Sequence, residues 1–151
     1  MNLRSVLSIA GSDSSSGAGI QADLKTFSSL GIYGCFAITA ITVQNTKNIF
    51  DVFPIPSEIV IKQINSILND VKIDAIKIGM VYDEQIINKI FQVLKNIKIP
   101  IIVDPIFTST SGINLIQSDA IKALIKKIFP IATIITPNKQ EAIQLSGIKI
   151  K

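Results

Sequence analysis

Apolar positions along the chain switch repeatedly between two spacings. Val6 to Ala10 is a short apolar run that reads as a strand. Ile20, Leu24, Phe27 and Leu30 then recur at helical spacing, and Gly31 stands where a helix C-terminus favours glycine. Phe36 to Val43 and Ile49 to Ile55 are β-rich runs, joined by a turn-like Asn45-Thr46-Lys47-Asn48. Pro56 and Ser57 open a helix with Val60, Ile64, Ile67, Leu68 and Val71 on its apolar stripe. Ala75 to Gly79 reads as a strand, and Asp83 as the cap of a helix carrying Ile86, Ile87, Ile90, Val93, Leu94 and Ile97. Ile101 to Asp104 is a further strand, followed by a polar loop from Pro105 to Gln117. Ser118 is placed to cap a helix bearing Ile121, Leu124, Ile125 and Ile128. Ala132 to Thr136 forms another strand, and Pro137-Asn138 begins a last helix that Gly147 can stop.

Strands and helices therefore alternate, and several strands are almost wholly apolar. That pattern predicts an α/β fold with helices on both faces of a mostly parallel sheet. The length, 151 residues, is that of one ordinary domain. The mean hydropathy of +0.47 comes from buried strands, since no apolar run approaches membrane-span length. Without a secretory leader and with Cys35 as the single cysteine, a cytoplasmic protein is expected, and an internal disulfide is excluded. Cys35 lies in an apolar context and reads as a small buried hydrophobe. The absence of histidine excludes imidazole catalysis and His-bearing metal sites. The net charge is +4, but the lysines are scattered and aromatics are 6%, so neither a nucleic acid nor a membrane is expected as a partner.

Ligands of open α/β sheets bind beyond the carboxyl ends of the strands. Four polar clusters fall at those ends. In Gly11–Asp23, glycines and serines can bring backbone N–H groups near a ligand, with a helix N-terminus aimed at the same place. The alternative is a structural turn, with Asp23 only complementing the helix dipole. In Thr42–Thr46, the Gln44 amide can read the edge of a heteroaromatic ring, or the segment is turn chemistry, which suits Asn45 better. Asp104, ending an apolar strand, can approach Mg²⁺ or a phosphate, or can form an Asx turn. Asn138 and Glu141 share a face at a helix start; they suit Mg²⁺, or complete a capping box. No Walker A sequence or dinucleotide glycine fingerprint is present, which leaves a dinucleotide-binding domain the weakest alternative.

These clusters together resemble the hydroxymethylpyrimidine/phosphomethylpyrimidine kinases of thiamine biosynthesis, in the ribokinase-like superfamily. The resemblance rests on Gly11-Ser12-Asp13 with Gly17-Ala18-Gly19-Ile20-Gln21-Ala22-Asp23-Leu24-Lys25-Thr26, and on Gly31-x-Tyr33-Gly34 and Thr39-Ala40. Gln44-Asn45-Thr46, Lys77-Ile78-Gly79-Met80, Asp104-Pro105, Ser111-Gly112 and Thr136-Pro137-Asn138-x-x-Glu141-Ala142 complete it. It runs from about Leu3 to the last residue.

The resemblance implies a ribokinase-like three-layer α/β/α sandwich, with residues 1–151 as the N-terminal portion of a single kinase domain. It implies ATP as co-substrate, Mg²⁺, a small-molecule pyrimidine substrate and a homodimer. Gln44 would recognise the aminopyrimidine, while Gly11, Ala18, Asp23 and Met80 line or approach the substrate pocket. Asn138 and Glu141 would organise Mg²⁺ through water together with the ATP phosphates, and Asp104 would lie near the path of phosphate transfer. The segment Ile49–Ile55 would help cover the pocket. The family continues for about a hundred further residues, with a Gly-Thr-Gly anion-hole loop and the base position. No catalytic group is therefore assigned within this chain, which is expected to bind weakly and turn over negligibly by itself. Pyridoxal kinase activity and a non-catalytic pyrimidine-binding remnant are the alternatives. Three departures stand out: Ser14-Ser15-Ser16 in the first loop, a bulky Phe107 expected to narrow the pocket, and Thr42 where an aliphatic residue is common.

Overall fold

The computed structural model describes residues 3–107 and 116–148. The chain runs β1 (Ser5–Ser12), α1 (Gly19–Ser29), β2 (Tyr33–Gln44), β3 (Ile49–Pro54), α2 (Ser57–Leu68) and β4 (Ala75–Ile78). It continues through α3 (Glu84–Leu94), β5 (Ile101–Val103), α4 (Ser118–Ala123), β6 (Ile134–Ile135) and α5 (Lys139–Ser146). The strands form one six-stranded sheet in the order β3-β2-β1-β4-β5-β6. Among the described strands only β3 is antiparallel; it returns from β2 along the sheet edge. The order reverses direction between β1 and β4, so their carboxyl ends diverge there and open a crevice.

The sheet's two faces differ chemically. Leu7, Ile9, Ile76, Ile78 and Val103 pack with Val60 and Ile64 of α2, Ile86, Ile87 and Ile90 of α3, and Ala120 of α4 in one core. Burial of each such isoleucine contributes about 1.5–3 kcal/mol. The intervening side chains, Ser8 and Lys77, reach the other face, where both meet Asp23 of α1. The strands are thus apolar toward three helices and partly polar toward α1.

Local signals account for most element ends. Asp83 accepts a hydrogen bond from the Ile86 N–H at 2.8 Å and starts α3. Helix α1 ends in a Schellman motif: the Gly31 N–H donates to the Ser28 carbonyl and the Ile32 N–H to that of Phe27. Gly31 sits at φ +68 with open space around it. Gly31→Ala is therefore expected to cost only the left-handed backbone strain, about 1 kcal/mol. Urea denaturation checks this, and an unchanged midpoint would show that the motif carries no stability.

Elsewhere the structure corrects the expectation. Ser118 does not cap α4; Gln117 holds that position, and the Ser118 hydroxyl donates to Asp119. The helix expected through Ile128 is regular only to Ala123, then widens into a π turn and tightens into a 3₁₀ turn at Phe129–Ile131. Pro130, which has no N–H to donate, sits in that last turn. Helices α2 and α3 stop at Leu68 and Leu94, yet Val71 and Ile97 still pack on the core from the connections that follow. Ser111-Gly112 and most of the polar loop lie outside the described residues.

Candidate active site

A cavity of about 320 Å³ opens at the crevice between β1 and β4. Its wall includes Gly11, Ala18, Gln44, Asp104, Asn138 and Glu141, which the sequence placed in four separate clusters, and Met80, which the family resemblance added. Ser12, Asp13, Gly19, Thr42, Ile49 and Ile106 complete it. The volume is at the small end of the range for small-molecule sites, with an apolar lining and a few polar groups.

The first loop is built around Asp13, which is 2% exposed. Its carboxylate accepts from the Ser15 N–H (2.7 Å), the Ser15 hydroxyl (2.7 Å), the Gly17 N–H (2.9 Å) and the Ala18 N–H (2.8 Å). Burial pushes the Asp13 pKa up, but these hydrogen bonds outweigh it and hold the carboxyl below its ordinary value. The Asp13 N–H donates to the Gln21 side chain, and the Ser16 N–H to the Asp13 carbonyl. Loop N–H groups that looked available for a ligand are thus largely consumed by a carboxylate of the loop itself. Gly19 closes the loop at φ +59, where a Cβ would collide with the Gly11 carbonyl.

Asp23 is not in the cavity wall. It lies behind it, accepting from the Ser8 hydroxyl at 2.6 Å and from Lys77 Nζ at 3.0 and 3.1 Å. Lys77 Nζ also lies 3.8 Å from Asp104, so the ammonium sits between two carboxylates. Burial raises the Asp104 pKa, the Asp23 charge adds to that, and Lys77 opposes both. Sequence reasoning gave Lys77 no role of its own. The available signal was a lone lysine in the apolar strand Ala75-Ile76-Lys77-Ile78.

Gln44 reaches the cavity through an irregularity in β2. Ala10 pairs with Ile38, but Ser12 pairs with Ile41, so β2 carries one extra residue there. Side-chain alternation changes phase across that bulge. Cys35, Ala37 and Thr39 are buried before it, whereas Ala40 and Thr42 are buried after it. Ser14 fastens the strand end, its hydroxyl donating to the Gln44 carbonyl at 2.6 Å and accepting from the Gln44 N–H at 3.0 Å. Asn45 does turn chemistry, accepting from the Lys47 and Asn48 N–H groups. Phe107 does not narrow the cavity; it is 2% exposed in the core, and Ile106 lines the wall instead.

Asn138 and Glu141 form the capping box of α5. The Glu141 N–H donates to Asn138 Oδ1 at 3.0 Å, and the Asn138 N–H to Glu141 Oε2 at 2.8 Å. The box fixes both side chains while they border the cavity, and among the described residues the second Glu141 oxygen accepts no hydrogen bond. These oxygen donors fit Mg²⁺. Among the described residues no group of three or more carboxylate, histidine or cysteine side chains converges. The set therefore suits a hydrated Mg²⁺ carried by phosphates, not an ion caged by protein.

The sequence profile described as phosphomethylpyrimidine kinase matches residues 13–151. The chain belongs to the phosphomethylpyrimidine kinase family. It is 48% identical to the hydroxymethylpyrimidine/phosphomethylpyrimidine kinase of Rhizobium meliloti over 93% of its length and 53% of that relative. The crystal structure of phosphomethylpyrimidine kinase from Clostridium difficile superposes with a TM-score of 0.90 at 50% identity, covering 97% of this chain and 64% of that one. Staphylococcus aureus pyridoxal kinase in complex with AMP-PCP and pyridoxal gives a TM-score of 0.84 at 41% identity, covering 97% of this chain and 52% of that one. The chain spans about half the length of the curated relatives it matches. Its sheet is that of the ribokinase-like kinases in this family, and no helix among the described residues is long and apolar enough to cross a membrane.

Proposed function

We propose that this protein serves the ATP-dependent phosphorylation of 4-amino-5-hydroxymethyl-2-methylpyrimidine and of its monophosphate. In the first step the hydroxymethyl oxygen bonds to the γ-phosphorus of ATP, ADP departs and the hydroxyl proton is lost. One observation carries the proposal: Gln44, a reader of ring edges, and the Asn138–Glu141 pair, suited to Mg²⁺ and phosphate, border the same small cavity. Asp104 borders it as well, on the side of Lys77. Bound Mg²⁺ would supply charge neutralisation for the phosphates. Gly11, Ala18 and Met80 supply the apolar wall for the ring, and Asp23 acts from behind it through Lys77.

Calorimetric titration of the chain with the aminopyrimidine tests this directly. Gln44→Ala is expected to weaken that binding about 10- to 100-fold, the loss from removing one specific polar partner. It should leave MgATP binding unchanged. Equal aminopyrimidine affinity in the two proteins would overturn the assignment. Pyridoxal is the second ligand to titrate, because the Staphylococcus aureus relative is a pyridoxal kinase of closely similar fold; tighter binding of pyridoxal would move the assignment to that vitamer. A cytoplasmic homodimer belongs to the same proposal. Ile41 and Val43 of β2 and Phe53 of β3 are exposed on one face of the hairpin, with Phe53 directly opposite Ile41. A second copy would cover that apolar face.

A further inference from the structure

The bulge of β2 leaves backbone groups that no strand pairs. Its extra residue lies between Ile38, the partner of Ala10, and Ile41, the partner of Ser12. On the other side β3 flanks β2 only from Ala40 onward, so Ile38 stands at an open edge of the sheet. Successive carbonyls of a regular strand alternate in direction. Here the Ile38 carbonyl accepts from Gln63 Nε2 of α2 at 3.1 Å, and the next carbonyl, that of Thr39, accepts from the Ile55 N–H at 2.9 Å. Two consecutive carbonyls thus meet the segment that follows β3. Gln63 Oε1 also accepts from the Ile38 N–H at 3.0 Å, so one carboxamide supplies both partners a neighbouring strand would give. Gln63 is outside the cavity wall, but the bulge it holds leads into that wall. The buried Thr39 hydroxyl donates to the Met80 carbonyl at 2.6 Å, and the Thr42 hydroxyl to that of Ser12 at 2.7 Å. Met80, Ser12 and Thr42 all line the cavity.

We propose that Gln63 is a positioning residue for the cavity: by holding both backbone groups of Ile38 it pins the β2 bulge, and with it the register that sets Thr39 against Met80 and Thr42 against Ser12. Gln63 touches no ligand; it acts on the wall through β2. Without the carboxamide the Ile38 N–H and carbonyl lose their partners, and the bulged pairing loses its advantage over a regular one. A regular pairing turns Thr42 and Gln44 to the opposite face and puts Ile41 and Val43 in their place. Only the ligand-binding arm of the test rests on the aminopyrimidine reading; the hold on β2 does not.

Amide hydrogen exchange and calorimetry on the 151-residue chain test it. Gln63→Leu is compared with Val60→Ala, which loosens α2 from the core one turn earlier and removes no hydrogen bond. The reporter is the Gln44 N–H, which is bonded to Ser14 and not to Gln63. In Gln63→Leu its exchange is expected to quicken about tenfold or more beyond the change in global stability. In Val60→Ala it should follow global stability alone. Faster exchange at Ile38 with Gln44 unmoved overturns the proposal and leaves Gln63 as a cover for the sheet edge. If Gln63→Leu does not fold, Gln63→Glu at neutral pH carries the test. Its carboxylate keeps an acceptor for the Ile38 N–H but has no proton for the carbonyl, and Gln44 exchange should still quicken about threefold; no change overturns the proposal. Aminopyrimidine affinity should fall about tenfold in Gln63→Leu and stay within about twofold in Val60→Ala. Equal losses in the two variants overturn the positioning role. No binding by the wild type overturns the aminopyrimidine reading, and Gln44 exchange then decides the role of Gln63.

Discussion

Asp13→Ala is expected to destabilise the protein by about 2–4 kcal/mol and to abolish ligand binding in the cavity. The carboxylate gathers three backbone N–H groups and the Ser15 hydroxyl at 2.7–2.9 Å in a place almost closed to water. Removing it leaves those donors inside a tight loop without an acceptor, and the desolvation already suffered by each is no longer offset. The loop carries Ala18 and Gly19 in the cavity wall, so its rearrangement also alters the ligand's surroundings. Asp13→Asn separates charge from shape, because it keeps one oxygen acceptor but loses the negative charge.

The pH dependence has a definite sign. The folded Asp13 pKa lies below the ordinary carboxylate value. Its stabilising contribution is therefore complete above the unfolded pKa of about 3.9 and is lost as pH falls through the folded value. The stability gap between wild type and Asp13→Asn should be constant from about pH 5 to 7 and shrink below about pH 4. Urea denaturation followed by circular dichroism at pH 7 and at pH 3 measures it. A gap of the same size at both pH values would show that the carboxylate charge is not what fastens the loop.

Lys77→Met is the second substitution with a large expected effect, a loss of about 2–3 kcal/mol at neutral pH. A fully buried pair would cost more when broken, but the Lys77 and Asp23 side chains retain 18% and 17% exposure, and solvent screens part of the interaction. Without the ammonium, Asp23 and Asp104 face each other as like charges. Burial already raises the Asp104 pKa and Lys77 restrains it, so the variant should raise it further. Asp104 then takes up a proton more readily, which relieves the repulsion. The loss should be larger at pH 7 than near pH 4, and carbon-detected titration of the Asp104 carboxyl should move upward. Lys77→Met with Asp23→Asn should recover part of the stability, because Asp23 no longer repels Asp104 while an acceptor for the buried Ser8 hydroxyl is kept. If the double variant is no more stable than Lys77→Met, repulsion between the two carboxylates is not what destabilises the single variant.

The site was legible in part because its residues stand where periodicity breaks. Gln44, Asp104 and Asn138 each follow an apolar strand, and in a parallel sheet those ends lie on one edge. The Asn138–Glu141 spacing was readable either as a cap or as a phosphate-side pair. The capping box is present and at the same time borders the cavity, so the two descriptions are compatible. Asp23 is the contrasting case. It is in the right motif, but its position behind the wall depends on Lys77, 54 residues away. Phe107 shows the same limit: its size was plain, but its direction depends on how β5 meets the core.

Short-range chemistry thus accounts for the alternating elements, the Asp83 cap, the Gly31 terminus and the α/β class, because each depends on residues a few positions apart. The phase of β2 is different. A strict two-residue alternation from Ala37 would bury Ile41 and Val43, and would leave Thr42 and Gln44 on the opposite side. Pairing with β1 inserts the bulge that buries Thr42 and brings Gln44 to the cavity, while Ile41 and Val43 become exposed. Bulge placement is settled by hydrogen bonding to a neighbouring strand, and the capture of Asp13 and the Lys77 charge cluster likewise need partners that folding brings together. Those energies have no local signature, so they become visible only in the folded chain.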